Sequence, residues 1–264
     1  RSAFVMQNRH VHGFKGMYAR LIEPTTQDGK EEMFLDGQNR FSARQDNFEK
    51  IPGAPVAYWV SEKMMEAFEK KCFFNGETKK GVLTGDNDSF LRFWHEVGRE
   101  KIGFGMKSHS EMLQSQKKWF PVTSGGERRR WYGNIDTIVN LENDGADIKA
   151  NVRNYRLRDS KYYMLEAVTW TEVSSGVFTC RYIPYGVLFG NGGPVSFFFN
   201  GQLLYHLALL NSKVSMEILS YLAPTINYGP EQINRIPVIV ERQGTVDVMA
   251  KACIEISKND WDSF

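Results

Sequence analysis

The feature that most constrains this chain lies between residues 78 and 200, where short β-prone runs alternate with glycine-rich turns. The runs at 137–140, 168–171, 177–182 and 187–189 are rich in β-branched and aromatic residues and too short for ordinary helices. This pattern predicts an irregular, mostly β domain. Helical spacing frames it on both sides. Val60, Met64, Ala67 and Phe68 place a helix over 57–71, and Leu204, Leu207, Ala208, Val214, Ile218 and Leu222 form one long stripe that Pro224 ends. A last strand is expected at 236–240, and Val246, Met249, Ala250 and Cys253 begin a closing helix. At the other end, the apolar runs 2–7 and 17–23 flank a loop with Gly13 and Gly16 and read as an antiparallel pair. Residues 24–50 lack periodicity and read as a connector. The fold class is therefore α+β.

Apolar residues make up 42% of the 264 and charged residues 24%, the balance of a folded soluble protein of one large or two small domains. Cys72, Cys180 and Cys253 are widely spaced with no CxxC pair, which fits reduced intracellular thiols and a cytoplasmic setting. No apolar stretch approaches the roughly 18 residues of a membrane span. The chain opens on Arg1, as expected of a segment of a longer polypeptide.

Several chemistries lack their motifs. There is no G-x-x-x-x-G-K-[ST] loop, and Gly103-Phe104-Gly105 neither follows a clear strand nor opens a helix. The Asn/Asp/Ser-Pro-Pro-aromatic tetrapeptide that holds the target amine in amino-methyltransferases is missing too. His10 and His12 could share one strand face, but without neighbouring acids or thiols a polar hairpin tip is the default reading. Trp94-His95-Glu96 offers an acid and a base, yet adjacent residues point in different directions and make no dyad by adjacency.

Charge is informative only locally. The whole chain carries +2, whereas residues 117–161 hold ten Lys/Arg against six Asp/Glu, and residues 215–264 hold four against seven. Within the basic stretch, Lys117-Lys118-Trp119-Phe120 precedes Gly125-Gly126-Glu127-Arg128-Arg129-Arg130-Trp131-Tyr132, and Arg153, Arg156, Arg158 and Lys161 follow. Arginines interleaved with aromatics and a glycine turn can grip phosphates, read guanine edges and stack on bases. A solvated face with ordinary salt bridges is the competing reading.

Four ordered segments carry a resemblance. Gly81-Val82-Leu83-Thr84-Gly85-Asp86-Asn87-Asp88-Ser89-Phe90 resembles the G-x-x-T-G-x-N-x-x-F entry to TaqI-like specificity domains of DNA methyltransferases. The stretch from Lys118-Trp119-Phe120-Pro121 through Gly125-Gly126 and Trp131-Tyr132-Gly133-Asn134 to Glu142-Asn143-Asp144-Gly145 is similar to a narrower group. That group is the adenine-specific methyltransferases of BREX phage-defence systems, the PglX group. Pro184-Tyr185-Gly186-Val187-Leu188-Phe189 with Gly192-Gly193-Pro194, and Leu209-Leu210-Asn211-Ser212-Lys213 with Ile236-Pro237-Val238, resemble its next blocks. Leu141 departs from the pattern, standing where an aromatic is expected.

The resemblance implies a target-recognition domain at 78–240, a connector and helix at 24–77, the last strand hairpin of a class I methyltransferase sheet at 1–23, and the start of a C-terminal helix at 241–264. It implies double-stranded DNA as partner, together with the rest of a methyltransferase chain and other phage-defence proteins. S-adenosyl-methionine would be bound outside this chain, which alone would be inactive. The DNA-facing candidates are Thr84, Asn87, Lys117, Lys118, Gly125, Gly126, Arg128, Arg129, Arg130, Trp131, Tyr132, Asn134, Arg153, Arg156, Gly192 and Gly193. Two other readings stand beside this one: a non-catalytic specificity subunit that recruits a separate methyltransferase, and a basic module that binds an acidic protein.

Overall fold

Strand β1 (Lys15–Ala19) pairs antiparallel with β2 (Arg40–Arg44), Met17 opposite Ser42, with helix α1 (Gln27–Leu35) between them in sequence. The computed structural model describes residues 3–6, 8–9, 11–123 and 125–263, in two units that divide after Cys72. The first unit corrects two expectations. The partner of β1 is β2 and not residues 2–7, of which the described 3–6 form no strand. The polar stretch 24–50 is also structured. Thr26 caps α1 by accepting the Gly29 N–H at 3.2 Å, but α1 buries no residue and so writes no apolar stripe into the sequence. Helix α2 (Glu62–Glu69), capped by Ser61, buries Met65 and Phe68 and fills only the second half of the span expected.

The second unit begins with β3 (Glu77–Lys79), α3 (Asn87–Phe90), β4 (Leu91–Phe93), α4 (His109–Gln114), β5 (Trp119–Thr123), β6 (Thr137–Asn140) and α5 (Ala146–Asn151). It continues with β7 (Ala167–Trp170), β8 (Cys180–Ile183), β9 (Leu188–Phe189), β10 (Val195–Phe197), α6 (Leu203–Leu210), α7 (Lys213–Leu222), α8 (Pro230–Ile233) and α9 (Gln243–Trp261). The described strands form two four-stranded sheets, ordered β3-β10-β7-β8 and β4-β6-β5-β9. All neighbours are antiparallel except β5 and β9, which run parallel. The mixed α+β class follows directly.

Alternation along β5 explains its full burial. Phe120 and Val122 enter a core with Val139, Leu188 and Met164, while Trp119 turns to the opposite face with Ile102 and Ile138. Phe189 of β9 instead packs with Ala167, Ile183, Val195 and Phe197 of the other sheet, and this contact joins the two sheets. Each buried side chain of this size stabilises by about 1.5–3 kcal/mol relative to exposure.

The stripe read as one helix is two. Asn211 is buried at the break, its amide bonding Cys180 N at 3.0 Å and Cys180 O at 3.1 Å as a neighbouring strand would. Ser212 then caps α7 by accepting the Ser215 N–H at 3.2 Å. The Leu209-Leu210-Asn211-Ser212-Lys213 block is thus a helix end, a clasp on β8 and a helix start. Leu207 and Ile218 are buried as the stripe predicts, whereas Val214, on the outer face of the first turn of α7, is 52% exposed. At 236–240 a single bridge, Phe73 to Pro237, replaces the expected strand. No helix among the described residues is long and apolar enough to cross a membrane.

Candidate functional site

The chain leaves β5 through Gly125 and Gly126, both with positive φ (+88° and +89°), a region that costs glycine little. Gly192 and Gly193, just before β10, press against them. A Cβ on Gly193 would lie 2.6 Å from Gly125 N, and one on Gly125 would lie 2.9 Å from Gly192 O. Two loops therefore cross backbone on backbone, and only side-chain-free residues fit the crossing. Gly125 and Gly193 are the buried members of the pairs; Gly126 and Gly192 face outward.

Side chains lock this crossing from below. Asn134 donates to the carbonyls of Gly125 (2.9 Å) and Glu127 (2.8 Å), which closes the loop on itself. Arg181, on β8, is fully buried and donates through Nη2 to Gly125 O at 3.0 Å and to Thr171 Oγ1 at 3.4 Å. The Thr171 hydroxyl in turn donates to Gly126 O at 3.1 Å. Among the described residues, Arg181 Nε and Nη1 and the buried Thr123 Oγ1 have no hydrogen-bond partner, and no carboxylate pairs with Arg181. Burial pulls the guanidinium down to about 10, so it remains charged at neutral pH.

Beyond Gly126 the arginine run is held in one conformation. Trp131, at φ +70°, donates its N–H to Cys180 O and accepts from Tyr182 N, both at 2.8 Å, which adds one rung to the free edge of β8. Arg128 and Arg130 are exposed and make no ion pair among the described residues. Arg129 turns the other way. Its guanidinium lies 4.7 Å over the Trp261 ring and 3.7 Å from Asp260 Oδ2, both on α9. Lys258 of α9 sits 5.8 Å over the Tyr132 ring, and burial raises the Tyr132 hydroxyl above its ordinary pKa.

The other predicted residues are distributed less evenly. Thr84 is buried and donates its hydroxyl to Asn87 Oδ1 at 2.7 Å, while Asp86 accepts the Ser89 N–H at 3.1 Å and caps α3. The Thr84 hydroxyl of the T-G-x-N pattern is thus engaged within the turn, while Asn87 stays exposed. Lys117 and Lys118 are separated from Gly125 by the length of β5, about 16 Å at strand spacing. Lys118 pairs with Glu142 at 3.0 Å, and Lys117 donates to the Glu100 carbonyl. Arg156 is exposed, and its backbone pairs with Leu83 through bonds of 2.8 and 2.9 Å. Arg153 is exposed three residues earlier.

The sequence reading missed Arg181, Thr171, Asn191, Lys79 and Lys80, all close to the crossing or to Arg156. Only Arg181 left a signal, as a lone charge inside a β-prone run. His10 lies outside the described residues; His12 is exposed, and no cluster of metal-binding side chains occurs among the described residues. Glu96 is occupied in accepting the Phe93 N–H at 2.7 Å, while His95 stacks on Phe93 at 5.6 Å. They form no acid–base pair.

No family model matches the chain. Aligned along its whole length, it is 38% identical to the adenine-specific methyltransferase PglX of Lacticaseibacillus casei (strain Zhang). It is 37% identical, again over its whole length, to the adenine-specific methyltransferase BrxX of Escherichia coli O9:H4 (strain HS). The chain is a relative of one segment of the PglX group. It spans 23% and 21% of the length of those two proteins, about a fifth in each case. The segments quoted for the resemblance coincide with structural junctions: the capped turn before α3, the glycine crossing and the Asn211 clasp.

Proposed function

We propose that this chain is the target-recognition part of a PglX-group methyltransferase and holds duplex DNA for N6-adenine methylation in phage defence. The fold would be a TaqI-like specificity domain. S-adenosyl-methionine and the extruded adenine would be held elsewhere in the parent protein, working in the cytoplasm. Extruding a base costs a few kcal/mol, so the duplex must be gripped and chosen by another surface while the pocket does the chemistry.

The observation that carries this reading is the state of the arginine run. Arg128 and Arg130 project without ionic partners from a loop pinned by Trp131 on β8, Asn134 and the glycine crossing. The frame holds the backbone of the loop, and the two exposed guanidinium groups it carries are free of competing carboxylates among the described residues and suit bidentate contacts to phosphate or to guanine O6 and N7. The exposed Gly126 and Gly192 let a phosphate backbone approach the main chain closely.

Measuring binding to defined duplexes at two salt concentrations tests the reading. If Arg128 or Arg130 grips a phosphate, its replacement by alanine lowers the salt slope by about one for every sequence. If it reads a base edge, the same replacement relaxes specificity at one position by about 1–3 kcal/mol. Arg129→Ala has the smallest direct effect, because Asp260 and Trp261 already engage that side chain. Unchanged affinity, slope and site choice in both Arg128→Ala and Arg130→Ala would remove the loop from the recognition surface.

A further inference from the structure

We propose that a cleft beside the Gly192 turn binds the phosphodiester backbone of duplex DNA and extends the surface of the arginine loop; the proposal rests on the DNA-recognition reading above. The cleft has a volume of about 640 Å³, and Lys79, Lys80, Arg156, Arg158 and Lys161 line it. Three separate parts of the chain supply these cations. Lys79 ends β3 and Lys80 follows it, the rung between Arg156 and Leu83 brings in the second part, and Lys161 lies in the single helical turn Ser160–Tyr162.

Charge compensation in the cleft is incomplete. Lys79 pairs with Glu77 at 3.1 Å, Lys80 with Glu172 at 2.7 Å and Lys161 with Asp159 at 3.5 Å. Arg158 donates only to neutral acceptors, Gly81 O at 3.1 Å and Asn191 Oδ1 at 3.4 Å. The Arg156 side chain is exposed and has no partner among the described residues. Five cations thus face three carboxylates, and both arginines, the side chains best shaped for phosphate, remain without a counter-charge.

The cleft offers no free aromatic face for a base. The ring of Tyr162 stacks on Phe197 at 5.0 Å, and Lys79 and Lys161 approach it at 5.1 and 4.8 Å. Backbone phosphate, which needs no such platform, is the matching ligand. The cleft also adjoins the crossing. Asn191, which accepts from Arg158, precedes Gly192, and Glu172, the partner of Lys80, donates its N–H to Gly192 O at 3.4 Å. Gly192 thus stands between the glycine crossing, from which the arginine loop leaves, and the cations of the cleft.

The test is fluorescence anisotropy of a labelled duplex with the 264-residue chain at 50 and 200 mM salt. The double variant Arg156→Ala/Lys161→Ala should keep its melting temperature and lose about one to two units of salt slope, Arg156 giving the larger share because Asp159 already faces Lys161. Across this fourfold salt range its affinity should then drop by a factor about fourfold to twelvefold smaller than that of the unaltered chain. Arg156→Lys/Lys161→Arg, which retains both charges, should restore most of the slope and shows that charge, not folding, is being read. Unaltered slope in the alanine pair, with a lowered slope or relaxed site choice in Arg128→Ala or Arg130→Ala, overturns the cleft and leaves the loop reading intact. Loss of poly-glutamate binding alone in the alanine pair would assign the cleft to an acidic protein and also overturn the proposal. If the unaltered chain binds no duplex at 50 mM salt, both readings fall.

Discussion

Replacing Arg181 by methionine should change global stability little while loosening the glycine–arginine loop at residues 125–130. The magnitudes nearly cancel. Holding a fully buried guanidinium, pulled down to about 10, costs the charged form roughly 3 kcal/mol. Against this stand two donated bonds, to Gly125 O at 3.0 Å and Thr171 Oγ1 at 3.4 Å, the longer of them weak. Hydrogen bonds from a charged donor contribute about 1.5–3 kcal/mol each. Their loss would orphan neither acceptor, because Asn134 still donates to Gly125 O and the half-buried Thr171 oxygen is open to water. Methionine fills similar volume without a charge, and removing a buried uncompensated ion is often neutral or stabilising. Chemical denaturation should therefore place Arg181→Met within about 2 kcal/mol of the unaltered chain. Amide exchange at residues 125–130 should accelerate, because one of the two ties on Gly125 is gone. A loss beyond about 4 kcal/mol, or unchanged exchange in the loop, would falsify the account of Arg181 as an uncompensated clamp.

Three further outcomes follow from packing and titration. Gly193→Ala, whose Cβ would sit 2.6 Å from Gly125 N, should cost about 1–3 kcal/mol by thermal melting; an unshifted transition would show that the loops do not cross as described. Ile218→Ala, at 1% exposure, should cost about 2–5 kcal/mol, whereas Val214→Ala, at 52%, should stay within about 0.5 kcal/mol, and equal losses would refute the division of the stripe. His206 is buried with its pKa lowered mainly by desolvation, so the unfolded chain binds the proton more readily. Its contribution is present above the unfolded value near 6.5 and declines as pH falls below it, and His206→Gln should flatten that part of a pH–melting curve.

The β-rich middle was legible because its strands are buried and their residue types write a pattern. The expected run 137–140 coincides with β6, and 168–171 and 187–189 are displaced from β7 and β9 by a residue at one or both ends. Elements stabilised by caps rather than burial left no such record. Helix α1 buries nothing, and β2 (Arg40–Arg44) buries only Ala43, so 24–50 read as a connector. The break between α6 and α7 was hidden for a different reason. Asn211 and Ser212 interrupt the apolar period only briefly, and the force that splits the helix is a long-range bond to Cys180.

The candidate site shows the same limit from the side of charge. A window over 117–161 finds an excess of basic residues, yet a contiguous window cannot distinguish Arg129, engaged by α9, from Arg128 and Arg130, which make no ion pair among the described residues. Nor can it add Lys79 and Lys80 to Arg156 and Arg158, because β3 and the rung at Leu83 bring them together only in the fold. Thr84 and Asn87 show a different limit: the motif names both residues, and only the fold shows that the Thr84 hydroxyl is spent on Asn87 Oδ1. On the proposed reading, DNA recognition depends on which charges remain uncompensated after folding. By that criterion Arg128, Arg130, Arg156 and Arg158 carry more weight than the count of lysines and arginines, and they mark where substitution should alter DNA binding first.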